Sequence, residues 1–195
     1  MELMHPGIWQ LEKQNEEHFR EIVGDAISDG MISWLNSICY FIQAAAKDHH
    51  GNYPGGLFEH SAEMTKQLCK LTSELKLEWE RPESPIIVGM LHDVCKCDLY
   101  NVIVDTESKY GYKIEYNNDR LLNGHGEVSV MMVQQYIAQS HEMILTEEEM
   151  YCIRYHMGAF TDSKEWQFYS RAVHKYPNVL YTHTADMIAS QIMEI

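Results

Sequence analysis

The sequence places imidazoles and carboxylates where apolar helices would bury them. His92 and Asp93 stand side by side in VGMLHDVCK, at the end of a run in which Ile86, Ile87, Val88, Met90 and Leu91 are all apolar. His60 lies near the start of an amphipathic stretch, in GGLFEHSAEM, and Asp186 sits inside another apolar run, YTHTADMIAS. An unpaired carboxylate in such surroundings costs several kcal/mol, so its burial requires a cation or a dense hydrogen-bond network. His125 in NGHGEV, His156 in RYHMGAF and His183 occupy helix starts or ends from which a side chain can turn inward. Taken singly, each reads more readily as an ordinary hydrogen-bonded histidine. His5, His18, His141 and His174 read as surface residues. As a set, imidazoles and carboxylates without thiolate suit Mn, Fe, Co, Ni or Zn.

Holding these side chains together requires helices, and the hydrophobic pattern supplies them. Met31 to Lys47 repeats apolar residues at three and four, and Phe58 to Leu77 puts Met64, Leu68, Leu71 and Leu75 on one face. Ser84-Pro85 reads as an N-cap followed by proline at the first helical position, opening a central helix through Cys95. Thr146 to Glu149 fits a capping box that starts a helix running to about His156. Further helices are expected at Gly126 to Gln139, Ser163 to His174 and Val179 to Met193. Tyr100 to Tyr116 alternates apolar and polar residues around Ser108 to Gly111, which predicts a small β-hairpin. The expectation is an all-α helical bundle with one hairpin insertion, a single domain over 1–195.

Bulk properties narrow the function. Of the 195 residues 45% are hydrophobic, which excludes intrinsic disorder. The mean hydropathy of −0.36 excludes an integral membrane protein. No apolar run approaches the roughly 20 residues of a membrane helix, and the N-terminus lacks the basic and apolar regions of a signal peptide. A cytoplasmic protein is expected. The net charge of −14 disfavours long nucleic acids and membranes as partners, so an anionic substrate must be attracted locally. Cys39, Cys69, Cys95, Cys97 and Cys152 have no zinc-ribbon spacing and read as free thiols.

The motifs together resemble the HD superfamily of metal-dependent phosphohydrolases. HHGNYPGGLFEHSAEM (His49 to Met64), LHDVCK, GHGEV, YHMGAF and THTADMI follow the order H…HD…H…H…D, at intervals of about thirty residues. The resemblance runs from about 44 to 190 and is closest to the HD domains of bacterial 3′-5′ exoribonucleases, which share HH-x-x-x-x-GGL-x-EH. It implies that His60, His92, Asp93 and Asp186 ligate a first divalent ion. His125 and His156 would add a second, with Asp93 bridging. A metal-bound hydroxide would then hydrolyse a phosphate ester.

Lys96 matches the lysine of an HDxxK pattern and either positions a phosphate oxygen or caps a helix end. His49 and His50 read as general acids for the leaving oxygen or as a polar loop. His183 would orient a ligand from behind, and Arg154 and Arg120 are distal candidates for phosphate contact. The chain has no room for the nucleic-acid-binding domain those exoribonucleases carry, and GYP is absent. Nucleotides or short oligonucleotides are therefore the expected substrates. Two alternatives remain: a catalytically silent HD module that binds a nucleotide or partner protein, and a single-ion enzyme in which His125 and His156 contact substrate.

Overall fold

The computed structural model describes residues 6–47, 51–108 and 111–195. Helix α1 (Pro6–Val23) is amphipathic: Ile8, Phe19 and Val23 are buried, and Asn15 on the same face donates to the Phe41 carbonyl at 2.7 Å. Sequence periodicity did not predict this helix. Ser28 caps α2 (Asp29–Ser37) by accepting from the Met31 amide.

The helix expected over Met31 to Lys47 stops at Ser37. Cys39 takes a left-handed backbone (φ 64°), and the Tyr40 amide bonds back to the Leu35 carbonyl. Tyr40, Phe41 and Ile42 are all buried beyond that point. An all-apolar run of this kind has no polar face to reveal whether it is helix or irregular core segment. The Tyr40 hydroxyl donates to the Met90 carbonyl at 2.7 Å, fastening this segment to the central helix. Phe19, Tyr40 and Phe41 meet edge to face beneath it.

Two helices form the spine of the molecule, α3 (Gly56–Leu75) and α4 (Ser84–Leu91). They cross where Gly89 meets Thr65. A Cβ on Gly89 would stand 2.7 Å from the Thr65 Cα, so only glycine permits this approach. Helix α4 is shorter than expected: residues 92–95 form turns, followed by the one-turn α5 (Lys96–Leu99). Nor is Ser84 the N-cap. Glu83 holds that position, and the Ser84 hydroxyl instead donates to Glu149 at 2.8 Å.

Strands β1 (Tyr100–Val104) and β2 (Tyr112–Tyr116) form the expected antiparallel hairpin, with Tyr100 opposite Tyr116 and Val104 opposite Tyr112. Its inner face joins Ile8 and Ile42 in a small separate core.

Helix α6 (Gly126–Ser140) follows, and then α7 (Glu147–Arg154), which opens on a complete capping box between Thr146 and Glu149. Buried Glu149 also takes two bonds from Arg81, at 2.7 and 2.6 Å. Its neighbour Glu148 accepts from the Glu80 amide and from Asn178. These two carboxylates bind the start of α7 to the turn before α4 and to α9 (Asn178–Met187). Between α7 and α9 lie 3-10 turns at Gly158–Phe160 and Ser163–Glu165 and the helix α8 (Trp166–Lys175). A π-helical turn, Ile188–Ile192, continues directly from α9. The architecture is mostly helical with one small hairpin, and no described helix is long and apolar enough to cross a membrane.

Candidate metal centre

Five elements converge at one end of the spine. The first turns of α3 carry His60, and the turn after α4 carries His92 and Asp93. His125 immediately precedes α6, His156 follows α7, and Asp186 lies in the last turn of α9. Close approach of α6 to α7 unites the second half of the group. A Cβ on Gly126 would stand 2.6 Å from the Ile153 carbonyl oxygen, so only glycine lets His125 reach His156.

Asp93 is the centre of the arrangement. Its Oδ2 lies 3.8 Å from His60 Nε2 and 3.6 Å from His92 Nε2. Its Oδ1 lies 2.6 Å from His125 Nε2 and 3.4 Å from His156 Nε2. Asp186 Oδ1 stands 3.1 Å from His60 Nε2. One carboxylate thus faces two histidine pairs, one with each oxygen.

Backbone carbonyls fix the orientation of three rings. Nδ1 of His60 donates to Ile195 O, that of His92 to Gly89 O and that of His156 to Ile153 O, at 3.0, 2.8 and 2.7 Å. A carbonyl only accepts, so in the neutral ring the lone pair belongs to Nε2, which points into the centre. This is the tautomer a metal ligand needs. Nδ1 of His125 instead meets the thiol of Cys95 at 3.4 Å.

The centre contains unsatisfied atoms. Asp93 Oδ1 and His156 Nε2 are buried without a hydrogen-bond partner. The 2.6 Å approach of His125 to Asp93 does not remedy this, because the ring nitrogen's in-plane direction misses the oxygen. Orphaned buried acceptors cost about 1–3 kcal/mol each unless something polar lies between them. The ligand atoms of His60, His92 and Asp93 all lie within 4.8 Å of one another, as do those of Asp93, His125 and His156. These buried groups can hold a metal ion. No protein-family model, curated protein or solved structure matches this chain. A functional reading therefore rests on the geometry and on the sequence motifs.

The charge balance favours a cation too. Burial would raise the Asp93 pKa, but Lys96, His125 and His92 outweigh it and hold the carboxyl well below its ordinary value. Asp186 is likewise lowered: burial opposes ionisation, yet the bond from His60 and the nearby imidazoles prevail. Burial pushes His92 down to about 4 and also lowers His125. Burial acts in the same sense on His60 and His156, but the nearby carboxylates of Asp186 and Asp93 respectively reverse the direction, and both are raised. Two carboxylates ionised in a buried site present a fixed negative charge.

A cavity of about 640 Å³ opens onto the group. His60, Asp93, His125, His156 and Asp186 line it, with Lys96 among them. The Lys96 ammonium has no ion pair among the described residues. Burial would lower its pKa, but the field of Asp93 raises it, so it stays charged beside the centre. His183 makes no hydrogen bond or ion pair with Asp186 among the described residues. Its Nδ1 donates to the His156 carbonyl at 2.8 Å and so fastens the segment carrying that histidine. Arg154 pairs with Glu127 and Glu165, at 2.6 and 3.2 Å, and does not line the cavity. Arg120 is similarly engaged by Asp98 and the Gly124 carbonyl. His49 and His50 lie outside the described residues.

Sequence reasoning missed the role of Cys95 against His125 and the apolar part of the cavity lining, which includes Leu99, Met157, Phe160 and Met187. Met157 and Phe160 lie within YHMGAF, directly after a proposed ligand. That adjacency was the available signal.

Proposed function

We propose that this protein is an HD-type metal-dependent phosphohydrolase that acts on nucleotides or short oligonucleotides. The observation that carries the reading is the division of Asp93 between two histidine pairs, with one of its buried oxygens left unsatisfied. The donor set suits two divalent transition ions (Mn, Fe, Co, Ni or Zn), with His60, His92, Asp93 and Asp186 holding one and Asp93, His125 and His156 the other. Such ions supply positive charge to a phosphoryl oxygen and acidify water at neutral pH.

The chain's own residues do the rest. The Nδ1 bonds of His60, His92 and His156 keep each ring in the ligating tautomer, so binding needs little reorganisation. Lys96 offers an ammonium at the cavity wall to a phosphate oxygen, compensating locally for the acidity of the whole molecule. The cavity volume is within the range that encloses a small ligand.

The test is hydrolysis of nucleoside phosphomonoesters and diesters in the presence of each candidate ion. Asp93→Asn should abolish turnover, and Lys96→Met should raise KM about tenfold while metal content holds. Full activity in Asp93→Asn would refute the mechanism.

A further inference from the structure

The cavity lining mixes two chemistries. Imidazoles, carboxylates and Lys96 share it with the apolar side chains of Leu99, Met157, Phe160 and Met187. Phe160 is the unusual apolar member of this lining: the residue is 68% exposed and still borders the cavity. A single exposed aromatic is ordinary on a protein surface, so its presentation must decide whether it matters.

That presentation is fixed. Phe160 ends the 3-10 turn Gly158–Phe160, and its amide donates to the Met157 carbonyl at 3.0 Å. Gly158 adopts φ 51°, and a Cβ there would stand 2.6 Å from His183 Nδ1. The turn can therefore lie flat on the His183 ring only with glycine at 158. His183 in turn bonds the His156 carbonyl, and the Phe160 ring sits edge-on to the His183 ring at 6.5 Å. A continuous series of contacts thus sets Phe160 relative to the ligand His156. The Phe160 ring meets the fold through His183, and the residue otherwise stays largely exposed where it borders the cavity.

Resting on the phosphohydrolase reading, we propose that Phe160 is the specificity-determining residue of the site, stacking its ring on the base of a nucleotide whose phosphate lies at Lys96 and the metal ligands. Stacking suits this position because every base offers a π face to an aromatic ring, without hydrogen bonds to a particular base edge. The site would prefer nucleotides over sugar phosphates and discriminate weakly among bases.

The experiment compares the affinities of adenosine monophosphate and ribose phosphate for the metal-supplemented protein by titration calorimetry, with hydrolysis of both followed in parallel. The wild type should bind the nucleotide roughly tenfold or more tightly. That ratio should fall towards one in Phe160→Ala and in Phe160→Leu, and persist in Phe160→Trp. The leucine variant keeps apolar bulk without a π face, so a merely structural role would leave its ratio unchanged. A wild-type ratio of one, or a ratio that survives in both Phe160→Ala and Phe160→Leu, would overturn the inference. Phe160-dependent preference without hydrolysis of either compound would support stacking while refuting the hydrolase reading. Hydrolysis of both without preference would do the reverse.

Discussion

His60 and His92 face each other through their Nε2 atoms at 3.2 Å, while each keeps Nδ1 on a backbone carbonyl. Two neutral rings held this way oppose lone pair to lone pair. A proton or a cation between them removes the conflict, and Asp93 and Asp186 lie close enough to balance its charge.

Ion binding should therefore displace protons. His60 and His156 are raised above the ordinary histidine value of 6.5, whereas His92, at about 4, is already neutral. Apparent metal affinity should climb as pH rises through and above 6.5 and weaken as pH falls, because protons compete for the same lone pairs. Calorimetric titrations in buffers of different ionisation enthalpy should show net proton release near neutral pH. Equal heats in all buffers would contradict this.

The two proposed ion sites should differ in strength. Carbonyls fix His60, His92 and His156, but a thiol can donate or accept, so Cys95 leaves the tautomer of His125 open. The ion at His125 and His156 should leave first under a weak chelator, giving two-phase release. Cys95→Ala should weaken that ion about 10- to 100-fold and spare the other. Single-phase loss in both proteins would argue against unequal sites.

Gly126→Ala places a methyl group against the Ile153 and Arg154 backbone, which cannot yield as a side chain can. It should cost about 1–3 kcal/mol of stability and separate His125 from His156. Thermal unfolding and metal content check both effects. Wild-type stability with full occupancy would mean that the helix contact is looser than described.

Glu149→Ala removes a buried carboxylate that holds Arg81, Ser84 and the Thr146 amide. Because Arg81 is only partly buried, the loss should be near the lower end of the 3–5 kcal/mol typical of broken buried pairs, roughly 3 kcal/mol. Denaturant unfolding measures it. The proposed metal ligands are not part of this network, so ion content in the surviving folded fraction should be retained.

The clustered residues were legible because His92-Asp93 and Asp186 interrupt apolar runs, and violations of pattern carry information. The capping box at Thr146 and the hairpin at Tyr100 to Tyr116 were legible because both are local. Helix α1 was not, since Asn15 interrupts its apolar face and the hydrogen bond that justifies Asn15 reaches Phe41. The Cys95–His125 and Gly158–His183 contacts join residues distant in sequence, and no spacing rule announces them. Arg154 illustrates the converse. A cation beside a ligand suggests anion binding, but its carboxylate partners come from α6 and the turn before α8.

The central claim is most directly tested by elemental analysis of untagged protein purified without chelator, alongside Asp93→Asn. The account predicts close to two transition-metal ions per chain, with occupancy of both sites reduced in the variant because one carboxylate serves both. Protein that carries no ion and takes up none from added Mn²⁺, Fe²⁺, Co²⁺, Ni²⁺ or Zn²⁺ would contradict it.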